Sequence, residues 1–384
     1  MSKHKKRIGV LTGGGDCPGL NAVIRAVAKT ADNNYAMEVI GFLDGYEGLV
    51  LNRFVNLDDK DVSGILTRGG TILGTSNRAN PFKYPVLQGK EYVYLDRSAQ
   101  CVQNFEALGL NAIVAIGGDG TMAASAALME RGLPIVGVPK TVDNDLEGTD
   151  VTFGFDTALQ TATEAIDKLH TTAQSHHRVM IVEVMGRYAG WLALGSGLAG
   201  GGDIILMPEF PYDVDAICEQ IRLRNSLGKN FSIIVVGEGA RQKGGEMVVK
   251  RRVETSPDAI RLGGISYQLS EQIENRFSIE TRVTILGHLL RGGSPSAYDR
   301  ILATRLGVQA VRLVERGEFG KMVAVKGNTI SWVPLTEVAG KIRKVTADHS
   351  WVTAAESIGL CLGIPTSIPL SDYPTDETRV DISK

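Results

Sequence analysis

Cysteine is scarce in this chain of 384 residues. Cys17, Cys101, Cys218 and Cys361 form no Cys-x-x-Cys pair and have no nearby His partner, which excludes a zinc ribbon and offers no disulfide framework. Reduced thiols in a cytoplasmic protein are therefore expected. An excess of either charge is also missing, because 41 Lys and Arg face 43 Asp and Glu, for a net charge of −2. Nucleic-acid binders carry a basic excess, so no nucleic-acid partner is expected, although a local basic pocket stays open. No apolar run approaches the ~18 residues that would span a bilayer, so no membrane is expected either. After the basic residues 1–7 the apolar run is only 8–11, too short for a secretory leader. Nor does a Pro/Ser-rich linker mark a domain boundary.

Glycine is what the chain has in plenty. Its 45 copies are roughly 12% of the residues, against about 7% on average. Sixteen of them fall in doublets and triplets, at 13–15, 69–70, 117–118, 200–202, 244–245, 263–264 and 292–293. Short Val/Ile runs end at several of these clusters and are followed by helical patterns: 8–12 before 21–31, 112–116 before 122–131, and 179–184 before 189–199. Segments 204–207 and 232–236 are further candidates for buried strands. Continuous apolar runs alternating with helices indicate an α/β protein with mainly parallel sheets flanked by helices. The length allows two domains or one large one. Two similar lobes are expected: a first of 1–154 plus about 290–340, and a second of 155–289 plus 341–384. In such sheets ligands bind beyond the strand C-termini, so the glycine-rich and acidic segments should converge on a cleft between the lobes. Segment 239–264, with Arg241, Lys243, Lys250, Arg251 and Arg252, reads as an exposed, solvated excursion. The tail after Pro365 reads as irregular.

Several segments carry the chemistry. Residues 13–19 follow a strand and open a helix, a geometry that receives phosphate on backbone N–H groups. They match neither the P-loop nor the dinucleotide fingerprint, and a tight turn without a ligand fits them nearly as well. In Gly117-Gly-Asp-Gly-Thr121 the glycines allow close backbone approach, and Asp119 stands where a phosphate-bound Mg²⁺ would sit; a helix-capping Asp is the alternative. In Pro139-Lys-Thr-Val-Asp-Asn-Asp145, an extended backbone would aim Thr141, Asp143 and Asp145 to one side. One carboxylate could then take a proton from a hydroxyl while the other holds metal, whereas turn-forming Asx residues are the plainer reading. Arg178, Arg187, Arg282, His288 and Arg291 lie near glycines or strand ends and could hold phosphate, though singly each could be a surface residue. His176-His177 lacks an acidic partner at metal-ligand spacing.

Taken in order, these segments resemble the 6-phosphofructokinase family over nearly the whole chain. They are Gly14-Gly-Asp-Cys-Pro-Gly-Leu-Asn21, Arg68-Gly-Gly-Thr-Ile-Leu-Gly74, Ile116-Gly-Gly-Asp-Gly120, Pro139-Lys-Thr-Val-Asp-Asn-Asp145, Glu183-Val-Met-Gly-Arg187 and Leu286-Gly-His-Leu-Leu-Arg-Gly-Gly-Ser-Pro295. Gly-Gly-Asp-Gly-Thr alone also occurs in NAD and diacylglycerol kinases, but those have no use for Met185-Gly-Arg187 with His288 and Arg291. A catalytically dead subunit of this fold would be expected to lose Asp143 or Asp119. The resemblance implies Mg²⁺-dependent phosphorylation of the 1-hydroxyl of fructose 6-phosphate by ATP. It makes Asp143 the base, gives Mg²⁺ to Asp119 and Asp145, and assigns Arg187 and Thr141 to the phosphoryl group in flight. Met185, Gly186, Arg187, Glu238, His288 and Arg291, with Thr141 and Asp143, would hold the sugar phosphate. Arg178 and Arg282 would reach its 6-phosphate from a neighbouring subunit, which implies a homo-oligomer, dimer or tetramer, with shared sites. Gly14, Arg78, Ala79, Gly118, Asp119, Gly120, Thr121 and Met122 would cradle the donor.

Two positions bear on donor choice. Within the family, Gly at 120 goes with ATP and Asp there with pyrophosphate, whereas Lys at 140 is common among pyrophosphate users. The chain resembles an ATP-using group that combines Gly120 with Lys140. ATP is expected, because a side chain at 120 would intrude while a long Lys can move aside; a pyrophosphate-dependent phosphotransferase is the alternative. An allosteric enzyme is also expected from the resemblance, but the effector site carries over less well: Arg25 matches one basic position of the bacterial effector site, the next such position holds Lys29, and segment 239–264 has no clean counterpart.

Overall fold

Val/Ile-rich runs with no polar face cannot lie on a surface, and here they form the middles of two sheets covered on both sides. The structure, a computed structural model, describes residues 5–89, 91–252, 260–277, 279–365, 367–373 and 375. In chain order it begins β1 (Arg7–Thr12), α1 (Leu20–Tyr35), β2 (Glu38–Phe42), α2 (Tyr46–Leu51), β3 (Phe54–Asn56), β4 (Tyr84–Gln88) and β5 (Glu91–Leu95). There follow α3 (Ser98–Ala107), β6 (Ala112–Gly117), α4 (Asp119–Glu130), β7 (Ile135–Pro139), α5 (Phe155–His176), β8 (Val179–Val184), α6 (Trp191–Ala199) and β9 (Ile204–Leu206). Then come α7 (Val214–Ser226), β10 (Ser232–Gly237), β11 (Val249–Arg252), β12 (Ile260–Leu262), α8 (Ile265–Glu274) and β13 (Thr281–Ile285). The last are α9 (Ala297–Glu315), β14 (Lys321–Lys326), β15 (Thr329–Pro334), α10 (Leu335–Val338) and α11 (Ser350–Ser357).

The larger sheet has the order β15-β14-β7-β6-β1-β2-β3. Its inner strands run parallel, and β15 and β3 close the two edges antiparallel. From β1 the chain first winds outward to β2 and later to β6 on the other side, so the switch point lies where β1 and β6 end. The second sheet, β13-β8-β10-β9, is wholly parallel. Strands β6, β8 and β10 are buried at every position.

The helices α5 and α9 cap one another. Asp299 in the first turn of α9 accepts from the Gly154 N–H (2.9 Å) and the Thr157 N–H (2.8 Å) at the start of α5. Ser296 caps α9 through the Asp299 N–H and donates from its hydroxyl to Asp156 (2.6 Å).

Segment 239–264 is only partly the exposed excursion expected. Ala240 and Leu262 are buried, and the segment contains the antiparallel pair β11–β12, with 253–259 outside the described residues. The tail after Pro365 is not wholly irregular as expected: it contains a 3-10 turn, Leu370–Asp372, and it is docked. Leu370 and Tyr373 are buried, and the Tyr373 hydroxyl donates to the Pro211 carbonyl (3.0 Å). Apolar closure against the core keeps such a segment in place without regular hydrogen bonding. No described helix is long and apolar enough to cross a membrane.

Candidate active site

The turn after β1 is pinned by short side chains. Thr75 donates its hydroxyl to the carbonyls of Gly14 (2.6 Å) and Thr12 (3.0 Å). Asn21 donates to the Arg68 carbonyl (3.0 Å) and accepts from the Ile72 N–H (2.8 Å), fastening the 68–74 segment alongside. Beside this turn α4 starts at Asp119 without a side-chain cap, and its first closing bond runs from the Met122 N–H to the Gly118 carbonyl (3.0 Å). The N–H groups of Asp119, Gly120 and Thr121 thus have no acceptor within the helix, and the helix dipole favours an anion there. Gly120 is exposed, and a Cβ built on it would meet nothing within 4 Å. Arg78 is exposed and Ala79 buried. The Met122 side chain sits in the core with Leu146, Met322, Leu335 and Val338, so only its backbone faces the turn.

Lys140 is buried, and its ammonium donates to the Gly15 carbonyl. Burial lowers its pKa, opposed in part by Cys17, Asp119 and Asp16. Segment 139–145 is not extended throughout: β7 ends at Pro139 and the backbone then bends, as the Asx-turn reading has it. Asn144 takes a left-handed backbone (φ 54°), which Asn tolerates better than most residues. Its Oδ1 accepts from the Thr152 N–H (3.0 Å), and the Thr152 hydroxyl donates to the Thr141 carbonyl (2.8 Å), closing a turn. The alternation survives the bend: Thr141, Asp143 and Asp145 are half-buried, whereas Val142, Asn144 and Leu146 are buried.

The electrostatics join loops from both sheets. Burial raises the Asp143 carboxyl; Arg291, Arg187 and Lys140 oppose this, and Asp119 reinforces it. The Asp143 Oδ1 is enclosed and has no hydrogen-bond partner. Burial, then Asp143 and Asp119, push Asp145 up to about 8, against a hydrogen bond from Thr141. Glu238 beyond β10 is raised to about 7 by burial and by Asp143, with Arg187 opposing. Loops after β6, β7, β8, β10 and β13 therefore reach one place. Three mutually repelling carboxylates with an unpartnered buried oxygen suit a divalent cation. Among the described residues no group of three or more His, Cys, Asp or Glu could hold one alone.

Met185 and Gly186 are buried and Arg187 is half-buried, with its guanidinium 5.7 Å from the Tyr188 ring centre. His288 is exposed on the 3-10 turn Gly287–Arg291, and Arg291 donates to the Asp16 carbonyl (2.9 Å). Arg178 and Arg282 are elsewhere. They lie at the N-terminal ends of β8 and β13, where Glu280 pairs with both. The six residues of β8 separate Arg178 from the loop after it, about 20 Å at ~3.3 Å per residue, and Arg282, level with Met180, is about 13 Å from the same end. At the expected effector positions, Lys29 pairs with Asp59 beside a cavity of about 500 Å³ whose lining mixes Lys5, Arg7 and Lys29 with Asp32, Glu38 and Asp58. Sequence reasoning missed Arg343, which donates to the Asn144 carbonyl (3.0 Å), and Glu209, which accepts from the Gly190 N–H (2.9 Å) and the Val345 N–H (2.8 Å). Both bond to backbone, so no residue pattern betrays them.

Two mainly parallel sheets whose glycine-rich, acidic and cationic loops meet at their strand C-termini define a two-sheet α/β protein with one composite site. The Phosphofructokinase family pattern matches residues 7–314. An ATP-dependent 6-phosphofructokinase 2 of Clostridium perfringens is 54% identical over 94% of this chain and 99% of its own length. An ATP-dependent 6-phosphofructokinase of Chloroflexus aurantiacus is 50% identical over 94% and 99%. Among solved structures, a phosphofructokinase of Saccharomyces cerevisiae superposes with a TM-score of 0.73 at 32% identity, covering 87% of this chain and 45% of the yeast chain. A pyrophosphate-dependent phosphofructokinase of Marinobacter aquaeolei, 20% identical over 97% of both chains, shares the fold with a TM-score of 0.75. The chain belongs to the phosphofructokinase family.

Proposed function

We propose that this chain is an ATP-dependent 6-phosphofructokinase, transferring the γ-phosphoryl group of ATP to the 1-hydroxyl of fructose 6-phosphate and releasing ADP and fructose 1,6-bisphosphate. The observation that carries the reading is Asp143, with one buried carboxylate oxygen lacking a partner and Arg291, Arg187 and Lys140 around it. That oxygen is free to accept the proton of the sugar hydroxyl as the hydroxyl attacks. Arg187 would balance the charge on the phosphoryl group in flight, helped by the Thr141 hydroxyl. Asp119 and Asp145 would hold Mg²⁺, which supplies charge neutralisation at the donor phosphates when bound. The free N–H groups at 119–121, with the Gly14 turn, Arg78 and Ala79, would cradle ATP. Met185, Gly186, Glu238, His288 and Arg291 would hold the sugar phosphate.

The larger sheet, with 290–340, would be the donor lobe, and the second sheet, with 341–384, the sugar-phosphate lobe. Buried free thiols at all four cysteines suit a reducing, cytoplasmic compartment. The ATP assignment rests on the open space at Gly120, on Lys140 being drawn to the Gly15 carbonyl, and on the close relatives named above. The direct test is Asp143→Asn, assayed with ATP and with pyrophosphate. The expected result is a fall in kcat of about 10² or more with sugar affinity little changed, as loss of a general base gives. Near-normal turnover would remove the base assignment.

A further inference from the structure

Arg343 lies almost 200 positions from the carboxylate turn, in the segment between α10 and α11. Its backbone N–H donates to the Asp145 carbonyl (2.8 Å), and its Nη1 donates to the Asn144 carbonyl (3.0 Å). One residue thus holds two successive peptide carbonyls of the turn that carries Asp143 and Asp145. The neighbouring pair Leu146 and Ile342 adds a β-bridge to the same junction.

Arg343 is itself held. Its guanidinium is 4.1 Å from the Trp191 ring centre, and its carbonyl accepts from the Trp191 indole N–H (2.8 Å). His349 packs edge-on against the same indole, with ring centres 4.8 Å apart. Trp191 opens α6, directly after the loop that bears Arg187. Two positions on from Arg343, the Val345 N–H is bound by Glu209, which also holds the Gly190 N–H next to Trp191. The segment 342–345 therefore ties the turn after β7 to the loop after β8.

The contacts have a plain mechanical meaning. Asn144 carries a left-handed backbone that its own side chain stabilises only through Thr152. Release of its carbonyl would let the peptide planes on either side rotate, and the directions of Asp143 and Asp145 rotate with them. A displacement of about 1 Å at a reacting group can cost on the order of 10²-fold in rate. Arg343 bonds to the backbone carbonyls of Asn144 and Asp145 rather than to the Asp143 or Asp145 carboxylates, and Asp145 reaches it only as one of several nearby charges, so its direct hold is on the turn. We propose that Arg343 is a positioning residue for phosphoryl transfer, fixing the Asp143–Asp145 turn by binding its carbonyls from a Trp191 platform. This rests on the reading of Asp143 and Asp145 as the working carboxylates.

The experiment compares Arg343→Ala, Arg343→Lys and Asp143→Asn in the full-length protein, with ATP, Mg²⁺ and fructose 6-phosphate. Arg343→Ala should lower kcat by about 10- to 100-fold with the sugar KM within about threefold. Millimolar guanidinium chloride should restore its kcat at least severalfold while leaving Asp143→Asn unchanged. Arg343→Lys should fall between, because an ammonium neither stacks flat on the indole nor presents a planar fork; if the Ala variant fails to fold, the Lys variant carries the same kcat-against-KM test. A folded Arg343→Ala or Arg343→Lys with wild-type kcat overturns the inference, as does an Arg343→Ala whose lost kcat guanidinium leaves unrestored. Should Asp143→Asn stay active, the carboxylate reading itself falls; an inactive Asp143→Asn beside a fully active Arg343→Ala removes the positioning role alone.

Discussion

Two glycines at the site show opposite reasons for having no side chain. At Gly239 a Cβ would stand 1.8 Å from the Arg187 carbonyl oxygen, so the loops after β8 and β10 cross only because nothing is there. At Gly120 a Cβ would meet no protein atom within 4 Å. A side chain at 120 would thus cost the fold little and would instead enter the space in front of the α4 N-terminus. This makes Gly120→Asp a clean test of donor choice. The new carboxylate would face the α-phosphate of a nucleotide, and close like charges in a partly dehydrated cleft repel by several kcal/mol at an effective dielectric near 20. The variant should keep a Tm within a few degrees of wild type, lose ATP use by a hundredfold or more in kcat/KM, and show some pyrophosphate activity supported by Lys140. The check is kcat/KM for both donors in both proteins, and a wild type that prefers pyrophosphate would reverse the donor assignment.

Among the elements, the mutual capping of α5 and α9 is a second place where burial and hydrogen bonding compete. Asp299 accepts three hydrogen bonds from Gly154 and Thr157, yet burial holds its carboxyl up at about 6, above an ordinary 3.8. A raised carboxyl pKa means that the fold binds the proton more tightly than the unfolded chain. The stability Asp299 contributes is therefore greatest at acid pH and declines as pH rises from about 4 to about 6. Asp299→Asn, which cannot ionise, should lie below wild type in Tm, with the gap narrowing between pH 4 and pH 7. A gap that widened over that range would mean that the ionised form is the better cap. Removing the acceptors altogether in Asp299→Ala should cost about 2–4 kcal/mol by denaturant unfolding, as expected when a cap is lost and buried donors are orphaned.

The elements also differ in how legible they were. Strands β1, β6, β8 and β10 could be read because a strand buried on both faces is a continuous apolar run, and each ends at a glycine or polar cluster. The antiparallel edge β15 could not, because Thr329–Pro334 has only partly buried or exposed side chains and no unbroken apolar run. The site was legible where chemistry clusters along the chain, at 117–121 and 139–145. The backbone clamps of Asp299, Glu209 and Arg343 were not, since any carbonyl or N–H in the fold could have been their partner. The bend at Asn144 was one of two open readings for a related reason. A left-handed residue flanked by alternating burial looks the same in sequence as an extended strand.

At the scale of the whole molecule, the direction of the second sheet bears on how many chains a working site needs. Parallel strands send all their C-terminal loops to one end, and Arg187, Glu238 and Arg291 follow β8, β10 and β13 there. Arg178 immediately precedes β8 and Arg282, second in β13, pairs with Met180, so within one chain they lie toward the opposite end, about 20 Å and about 13 Å away at ~3.3 Å per residue. No side-chain rotation spans either distance. If these arginines hold the 6-phosphate of the sugar, they do so for a neighbouring copy, after releasing Glu280, the carboxylate now paired with both. Arg178→Ala and Arg282→Ala should then raise the KM for fructose 6-phosphate while sparing kcat, because a phosphate remote from the reacting atoms contributes mainly uniform binding. Arg187→Ala, if Arg187 meets the phosphoryl group in flight as proposed, should act mainly on kcat. Subunit mixing makes the geometry decisive. Arg178→Ala and Asp143→Ser chains, each inactive at low sugar phosphate, are unfolded together and refolded as mixed oligomers. A site built from the Asp143 of one chain and the Arg178 of another is intact in some of them, so activity at low sugar phosphate should return to a measurable fraction of wild type. Mixed oligomers verified by mass that recover nothing would mean that each chain keeps its site to itself.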